Sequence, residues 1–426
     1  MSDATRELSG GRRRAALAFI FVTVALDMLA FGVIIPVLPH LIQQFLGGDI
    51  AKAVGWTGVF GTVFAAVQFV CTPLQGALSD RYGRRPVILI SNFGLGIDFL
   101  FMALANTLPL LLVGRVVSGI TAASISTANA YIADVTPPDR RAKAYGMLGA
   151  TFGIGFILGP VLGGMLSHID LRAPFWVAAG LALANFCYGL FVLPESLPAE
   201  KRTARLDLAR ANPVGSLLLL RRYPQVFGLA AVVLLSQFAH YVLPATFVLY
   251  ADYRYHWGAS AVGYVLALVG VCNAIVQAVL IGKVVPKLGE RRTLLIGLTF
   301  GVLGFAWQGL AATGALSLLA VPLLALWGLA GPSTQSLMTR QIDPHEQGRL
   351  QGAVTSLVSL AGIAAPTVFT QVFAMFIRAD TGPHLPGAAF LLASLLLVAA
   401  VALAWRVTRQ PAVTHEAQVG AHPVGD

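Results

Sequence analysis

Three ionisable side chains of this chain fall inside long apolar runs: Asp27, Asp98 and Arg115. A charge held at lipid depth costs several kcal/mol unless it is paired or hydrated, so each such group marks either function or a specific tie. Burial favours the neutral form of a carboxyl, and a neighbouring guanidinium favours the charged form. A carboxyl balanced between the two binds a proton in one conformation and releases it in another. The two aspartates therefore read as proton-coupling groups with Arg115 as their counter-charge. The plainer reading is an Asp–Arg pair that only ties helices together.

A second set of polar groups is uncharged. Gln68, Gln237, His240, Asn273, Gln277, Gln308 and Gln335 interrupt apolar runs, with Trp307 beside them. Hydrogen-bonding groups set in apolar walls suit a pocket for an uncharged or amphipathic solute. Taken singly, each equally suits an interhelical hydrogen bond. Cys71, Cys187 and Cys272 are three in number and widely spaced, which is neither a disulfide framework nor a metal pattern, so they read as packing residues. No nucleophile–base pair and no metal-ligand cluster is evident, so neither an enzyme nor a metal site is expected.

A third constellation repeats. Gly76-Ala77-Leu78-Ser79-Asp80-Arg81-Tyr82-Gly83-Arg84-Arg85 returns 206 positions later as Gly282 to Arg292, with Pro286 in place of Asp80. The same offset sets Gly146 on Gly352, Lys143 on Arg349, and Gly159-Pro160 on Ala365-Pro366. A constant offset means two related halves in parallel order, a plan common among transporters. Within the first copy Gly76 permits close helix approach and Gly83 a tight turn. Asp80, Arg81, Arg84 and Arg85 suit contacts to a helix end, to carboxylates or to lipid phosphates. These residues read as a conformational latch joining the halves in one state only, asymmetric because Pro286 replaces Asp80.

The elements that carry these groups follow from composition. The chain is 57% hydrophobic and 11% charged, roughly half the usual charged fraction of a soluble domain. Twelve continuous apolar runs of bilayer-crossing length are expected, at 15–37, 53–76, 86–106, 109–133, 143–167, 173–194, 223–250, 260–281, 292–313, 316–335, 350–376 and 386–406. Continuous runs point to helices, since barrel strands alternate over ~10 residues. The fold class is thus an all-α membrane protein, with one six-helix bundle over 1–194, a cytoplasmic linker over 195–222, a second bundle over 223–406 and a disordered tail over 407–426. With both termini inside, 24 basic residues face inward and four face outward, a strong positive-inside asymmetry. This places both termini in the cytoplasm and explains the net charge of +10 without nucleic acid. In that frame Asp27 and Asp98 lie about 18 Å from the inner ends of their helices and Arg115 about 9 Å from the outer end of its own. In a core of ~30 Å all three share one layer.

These motifs resemble those of the major facilitator superfamily, in particular the drug–proton antiporter branch that contains the bacterial tetracycline efflux proteins. The resemblance spans nearly all of residues 15–406. Gly76 to Arg85 resembles the superfamily signature between helices 2 and 3, and Arg115 with Gly119 resembles the helix 4 signature. Gly155, Gly159, Pro160, Gly163 and Gly164 resemble the helix 5 run associated with antiporters. Asp27, followed by Gly32 and Pro36-Val37-Leu38-Pro39, is similar to helix 1 of the tetracycline exporters, and Asp98 stands where they carry an acid in helix 3. The resemblance implies a major facilitator fold, no cofactor, protons as coupling ion, and carboxylates that bind a cationic metal–drug chelate. The chain departs from the pattern at Gly301-Val302-Leu303-Gly304, where those exporters typically carry an acid, and at Asn273, where they often carry His. The coupling groups must then be Asp27 and Asp98.

The resulting expectation is proton-coupled efflux of a small amphipathic drug across a bacterial inner membrane, by alternating access. A proton-linked importer or facilitator and a non-transporting membrane receptor are the rival readings. If the repeated loop is a latch, Asp80→Asn slows turnover while KM stays within about twofold, read from initial rates in proteoliposomes.

Overall fold

The computed structural model describes residues 10–121, 124–136, 138–202, 223–342, 347–378 and 384–409. Among these residues no strand occurs. Hydrocarbon offers no partner to a backbone N–H or C=O, so an apolar run closes its hydrogen bonds within itself as a helix. In chain order the helical segments are α1 Gly10–Phe45, α2 Ile50–Tyr82, α3 Arg84–Leu104, α4 (Leu108–Thr121 and then Ser124–Val135), α5 Pro138–Leu166, α6 Ala173–Val192, α7 Pro224–Tyr255, α8 Ala259–Leu288, α9 Glu290–Leu310, α10 Gly314–Thr339, α11 Gln347–Ile377 and α12 Ala388–Val407. Ten of these contain stretches long and apolar enough to cross a membrane, and Leu108–Thr121 and Gly153–Leu166 are shorter apolar helices in α4 and α5. The expected linker from 203 to 222 and the expected tail from 410 lie outside the described residues, as do the side chains of Lys143 and Arg349. The described start of the linker contains one 3-10 turn, Ala199–Lys201.

The chain packs into two compact units, Met1–Ala211 with Trp257–Gly270, and Asn212–His256 with Val271–Asp426. The start of α8 thus packs with the first unit and its remainder with the second. The repeat seen in sequence is a repeat of backbone geometry. Gly83 joins α2 to α3 at φ 106° and ψ 162°, and Gly289 joins α8 to α9 at φ 75° and ψ 160°. Both have positive φ, which glycine adopts without a Cβ penalty. Each donates its N–H to the carbonyl four residues earlier, Gly83 to Ser79 at 3.1 Å and Gly289 to Val285 at 2.9 Å. Gly76 has a different setting from the one expected: among the described residues, nothing lies within 4 Å of where its Cβ would be.

In the first unit α1 packs along α5, and the glycine run of α5 sets the distance. A Cβ added at Gly155 would lie 2.7 Å from the Ala25 carbonyl oxygen, one at Gly159 2.5 Å from that of Leu29, and one at Gly163 2.9 Å from that of Val33. These glycines recur every four residues, so they form one smooth stripe against the α1 backbone. The neighbouring face of the same run receives α8. There a Cβ at Gly164 would lie 2.9 Å from the Ser260 Cα, and Ser260 Oγ donates to the Gly164 carbonyl at 2.7 Å. Around this seam Phe19, Ile20, Val24 and Met28 of α1 cluster with Ile88 of α3, Ala128, Tyr131 and Ile132 of α4 and Leu148 of α5. Asn185 Nδ2 of α6 donates to Thr23 Oγ1 at 3.0 Å, which pairs two buried polar groups. In the second unit Tyr250 of α7 sits against Phe373 and Phe390 and donates its hydroxyl to the Gln308 carbonyl at 3.0 Å.

Several helices are interrupted, and the sequence supplies the cause. α7 breaks at Tyr241, and α10 breaks at Leu319 and again at Gly328–Leu329. Each break lies three or four residues before a proline, Pro244, Pro322 and Pro332 in turn. A proline has no N–H to donate, and its ring crowds the carbonyl four residues earlier. α8 carries a turn of π-helix at Val276–Leu280.

The close α1–α5 seam yields a paired prediction. Gly159→Ala forces a backbone shift and costs about 1–3 kcal/mol, seen as a lower unfolding temperature in detergent. Gly153→Ala, which has open space at its Cβ position among the described residues, leaves that temperature unchanged.

Candidate functional site

Asp98 and Arg115 meet in the first unit. They lie on α3 and α4, which pack against each other. Both are buried, Asp98 completely, and Arg115 Nη2 donates to Asp98 Oδ2 in an ion pair. Gly114 makes room for the carboxyl, since a Cβ there would lie 2.9 Å from Asp98 Oδ1. The guanidinium also reaches Met102 Sδ at 3.9 Å and stands over the Phe64 ring of α2, 5.4 Å from its centroid. One turn along α4, Gly119 lets α2 approach, with Val67 and the Phe64 carbonyl at about 3 Å from the missing Cβ. The Arg115–Gly119 spacing thus puts the charge and the close approach on one helix face.

The pair is incompletely satisfied. Among the described residues, Asp98 Oδ1 and Arg115 Nε are buried and have no hydrogen-bond partner. Buried polar atoms in native proteins are nearly always bonded, and an exception calls for a functional reason or an exchangeable partner. Asp27 is also buried, in α1, one helical turn beyond Thr23. All three ionisable groups singled out in the sequence are therefore withdrawn from solvent, and two of them are in direct contact.

The repeated loop forms a second constellation. Arg84 pairs with Asp80 at 2.5 Å and with Asp134 of α4 at 3.3 Å, and it also donates to Ser79 Oγ at 2.5 Å. Glu195, just past α6, accepts the backbone N–H groups of Arg84 at 2.8 Å and of Arg85 at 3.3 Å, so its carboxylate caps the start of α3. The side chain of Arg85 donates to the Leu190 carbonyl at 2.6 Å, and Arg81 lies over the Tyr82 ring. All of these partners belong to the first unit. In the second copy the acid is carried by the loop itself: Glu290 accepts from Ser336 Oγ at 2.5 Å and pairs with Arg340 at 2.7 Å. Sequence reasoning missed Asp134 and Glu195. Their only signal is an acid beside a span end, and their role depends on contacts across 50 and 111 positions.

The uncharged candidates separate into groups. His240 of α7 and Asn273 and Gln277 of α8 lie at mid-length of their helices, His240 and Gln277 with exposed side chains. Gln237 lies one turn before His240, and Gln68 of α2 is half-buried in the other unit. Gln308 is buried and exchanges two hydrogen bonds with Ser317, at 2.9 and 3.0 Å. Trp307 points outward and donates to the Leu316 carbonyl at 2.7 Å. Gln335 lies towards the far end of α10, its Nε2 buried without a partner among the described residues. In the first unit a cavity of about 800 Å³ opens between the end of α1 and the start of α8, lined by His40, Gln43, Ser167, His168 and Tyr264 among others. Among the described residues no group of three or more metal-binding side chains occurs.

Removing one member of a buried ion pair strands the other, at a cost of about 3–5 kcal/mol. Arg115→Leu alone therefore lowers the unfolding temperature markedly. The double variant Asp98→Leu with Arg115→Leu recovers most of that loss, and no recovery would mean that the pair is not the stabilising contact.

Residues 20–366 match the Major Facilitator Superfamily. The tetracycline resistance protein, class C, of Escherichia coli is 38% identical over 359 residues, covering 84% of this chain and 90% of that protein. The class B protein of Escherichia coli is 34% identical over 357 residues, covering 83% and 87%. Among solved structures, a bacterial homolog of the human lysosomal transporter Spinster superposes with a TM-score of 0.76 at 17% identity, covering 94% of this chain and 98% of that one. The human organic anion transporter MFSD10 superposes with a TM-score of 0.68 at 25% identity, covering 92% and 99%. With a family match over residues 20–366 and relatives aligned along most of its length, this chain belongs to the Major Facilitator Superfamily of membrane transporters and is not an enzyme.

Proposed function

We propose that this transporter exports a tetracycline or a similarly amphipathic drug from a bacterial cell in exchange for entering protons. The observation that carries this reading is the Asp98–Arg115 pair, buried, in contact and short of hydrogen bonds on both partners. The names of its relatives supply the substrate class. The inward bias of basic residues supports cytoplasmic termini.

In this mechanism Asp98 accepts a proton while the site faces outward. Neutralising the carboxyl removes the counter-charge of Arg115, so the guanidinium is released to seek other acceptors. That change in pairing biases the carrier between its two states, as any ligand does that binds one state better. When the site faces inward the proton leaves and the ion pair re-forms. Asp27 serves as the second titratable group, and alternating access delivers the drug in the opposite direction to the proton. A drug that enters as a cationic metal chelate would be attracted by the same carboxylates. Ser79, Asp80, Arg84, Asp134 and Glu195 act away from the cargo, fastening the start of α3 so that helix and loop move together.

The test is tetracycline transport in proteoliposomes with an imposed pH gradient. Asp98→Asn and Asp27→Asn each cut gradient-driven transport by at least about tenfold. Exchange of labelled for unlabelled tetracycline without a gradient continues in both. Wild-type rates in both variants would remove the carboxyls from the coupling. Cargo moving with the protons would make the protein an importer.

A further inference from the structure

The end of α3 and the start of α6 enclose a further cavity in the first unit. Its volume is about 400 Å³, and Leu104, Asn106, Asp170, Arg172, Ala173 and Trp176 are among its lining residues. It lies where two apolar spans, Arg84–Leu104 and Ala173–Val192, reach their limits, at the end of α3 away from the Arg84–Arg85 loop. That level is a membrane boundary, where lipid headgroups meet the chain. In the orientation proposed above it is the outer one.

A basic side chain at such a boundary ordinarily extends its head into water. Arg172 is instead half-buried and held in place. Its Nη1 donates to the Ala103 carbonyl at 3.3 Å and to Asn106 Oδ1 at 3.2 Å, and its guanidinium stands over the Phe45 ring of α1, 5.7 Å from the centroid. These bonds engage one nitrogen of a group that has five N–H donors. Asp170 Oδ1 accepts the backbone N–H of Arg172 at 2.6 Å, which fixes the carboxylate beside the same cavity. Among the described residues neither side chain takes part in an ion pair. The first N–H groups of α6 are already bonded, Ala173 to the Asp170 carbonyl and Phe175 and Trp176 to that of Arg172. The groups left to receive a ligand are therefore a guanidinium and a carboxylate, held apart in one cavity. The remaining wall is apolar. Leu104 is exposed, and Trp176 is 48% exposed. From Trp176 an exposed stripe runs along α6 through Gly180 and Ala184, one residue in four. Among the described residues nothing lies within 4 Å of the Gly180 Cβ position, so this stripe is a shallow furrow.

We propose that this cavity binds the headgroup of a zwitterionic phospholipid with a primary ammonium, phosphatidylethanolamine. The phosphate accepts from the Arg172 guanidinium in a charge-assisted hydrogen bond. The ammonium donates to the Asp170 carboxylate, and an acyl chain lies along the α6 furrow past Trp176, an indole at the level where such rings gather. The charges choose the lipid. An anionic headgroup brings no partner for Asp170 and is repelled by it. The quaternary ammonium of phosphatidylcholine has no N–H to donate. A lipid bound here fastens the end of α3 to the start of α6. The site involves neither cargo nor protons, so it stands independently of the proposed export.

The test is native mass spectrometry of the purified full chain in detergent, with equal amounts of phosphatidylethanolamine, phosphatidylcholine and phosphatidylglycerol of matched acyl chains. The wild type retains phosphatidylethanolamine over each of the others by at least about fivefold. Arg172→Gln and Asp170→Asn each bring that ratio to within about twofold of parity. Arg254→Gln, which removes an exposed arginine at the end of α7, keeps the wild-type ratio. Asp170→Asn retains an oxygen for the Arg172 N–H, so it serves as the variant that stays folded, checked by its unfolding temperature without lipid. Equal retention of phosphatidylethanolamine and either other lipid by the wild type overturns the assignment. So does a wild-type ratio in both Arg172→Gln and Asp170→Asn, or the same loss in Arg254→Gln. Preferred retention of phosphatidylglycerol that Arg172→Gln abolishes makes the occupant an anionic lipid and overturns the zwitterionic one.

Discussion

In hydrocarbon, a polar group without a partner has no water to fall back on, and that single constraint shapes this molecule. It makes every span a helix. It sends Ser and Thr hydroxyls back to carbonyls of their own helix, as with Thr57 to Ala53 at 2.8 Å, Thr246 to Val242 at 2.7 Å and Thr370 to Pro366 at 2.8 Å. It brings the Arg115 guanidinium to Asp98. Where the constraint is left partly unmet among the described residues, at Asp98 Oδ1 and at Arg115 Nε, the molecule keeps unused bonding capacity. A transporter can use such capacity, because its cargo must bind and then leave.

The same constraint explains the use of glycine. The stripe Gly155, Gly159 and Gly163 brings backbones together where side chains would hold them apart, so dispersion contacts replace the hydrophobic drive that is missing between helices in lipid. Gly114 makes room for the Asp98 carboxyl. In the first unit close packing supports a charge pair, and in the second it sets Trp327 against Phe305 and Gly301. The two halves share a backbone plan, down to the positive-φ hinges at Gly83 and Gly289, but they hold different chemistry. The first carries Asp27, Asp98 and Arg115 within its apolar runs, and the second carries His240 and several carboxamides.

Much of this is legible along the chain. The twelve runs, the 206-residue repeat and the three ionisable groups are visible because each depends on composition or on spacing. The Arg115–Asp98 contact is expected from depth alone, since two opposite charges in one layer of apolar helices have little else to meet. Other expectations take a different form in the structure. Gly76 is expected at a close approach and has, among the described residues, nothing within 4 Å of its Cβ position, whereas Gly114 and Gly119, which do sit at close approaches, carry no local mark that separates them from other glycines. Trp307 and Gln308 group with the pocket residues in sequence, but the indole N–H is committed to Leu316 and the carboxamide to Ser317. Neighbouring residues on a helix point in different directions, and apolar runs do not record which direction faces the interior.

The amino-acid sequence by itself determined how many long apolar runs the chain holds, where its halves repeat, and which residues place charge inside those runs. These follow from local hydropathy and from residue types. Only the tertiary structure decided that Glu195 caps α3, that Asp134 receives Arg84, and that the breaks before Pro244 and Pro332 meet beside Trp327. Such meetings join residues tens to more than a hundred positions apart. They are set by the rotation and packing of whole helices, which no short stretch of sequence encodes.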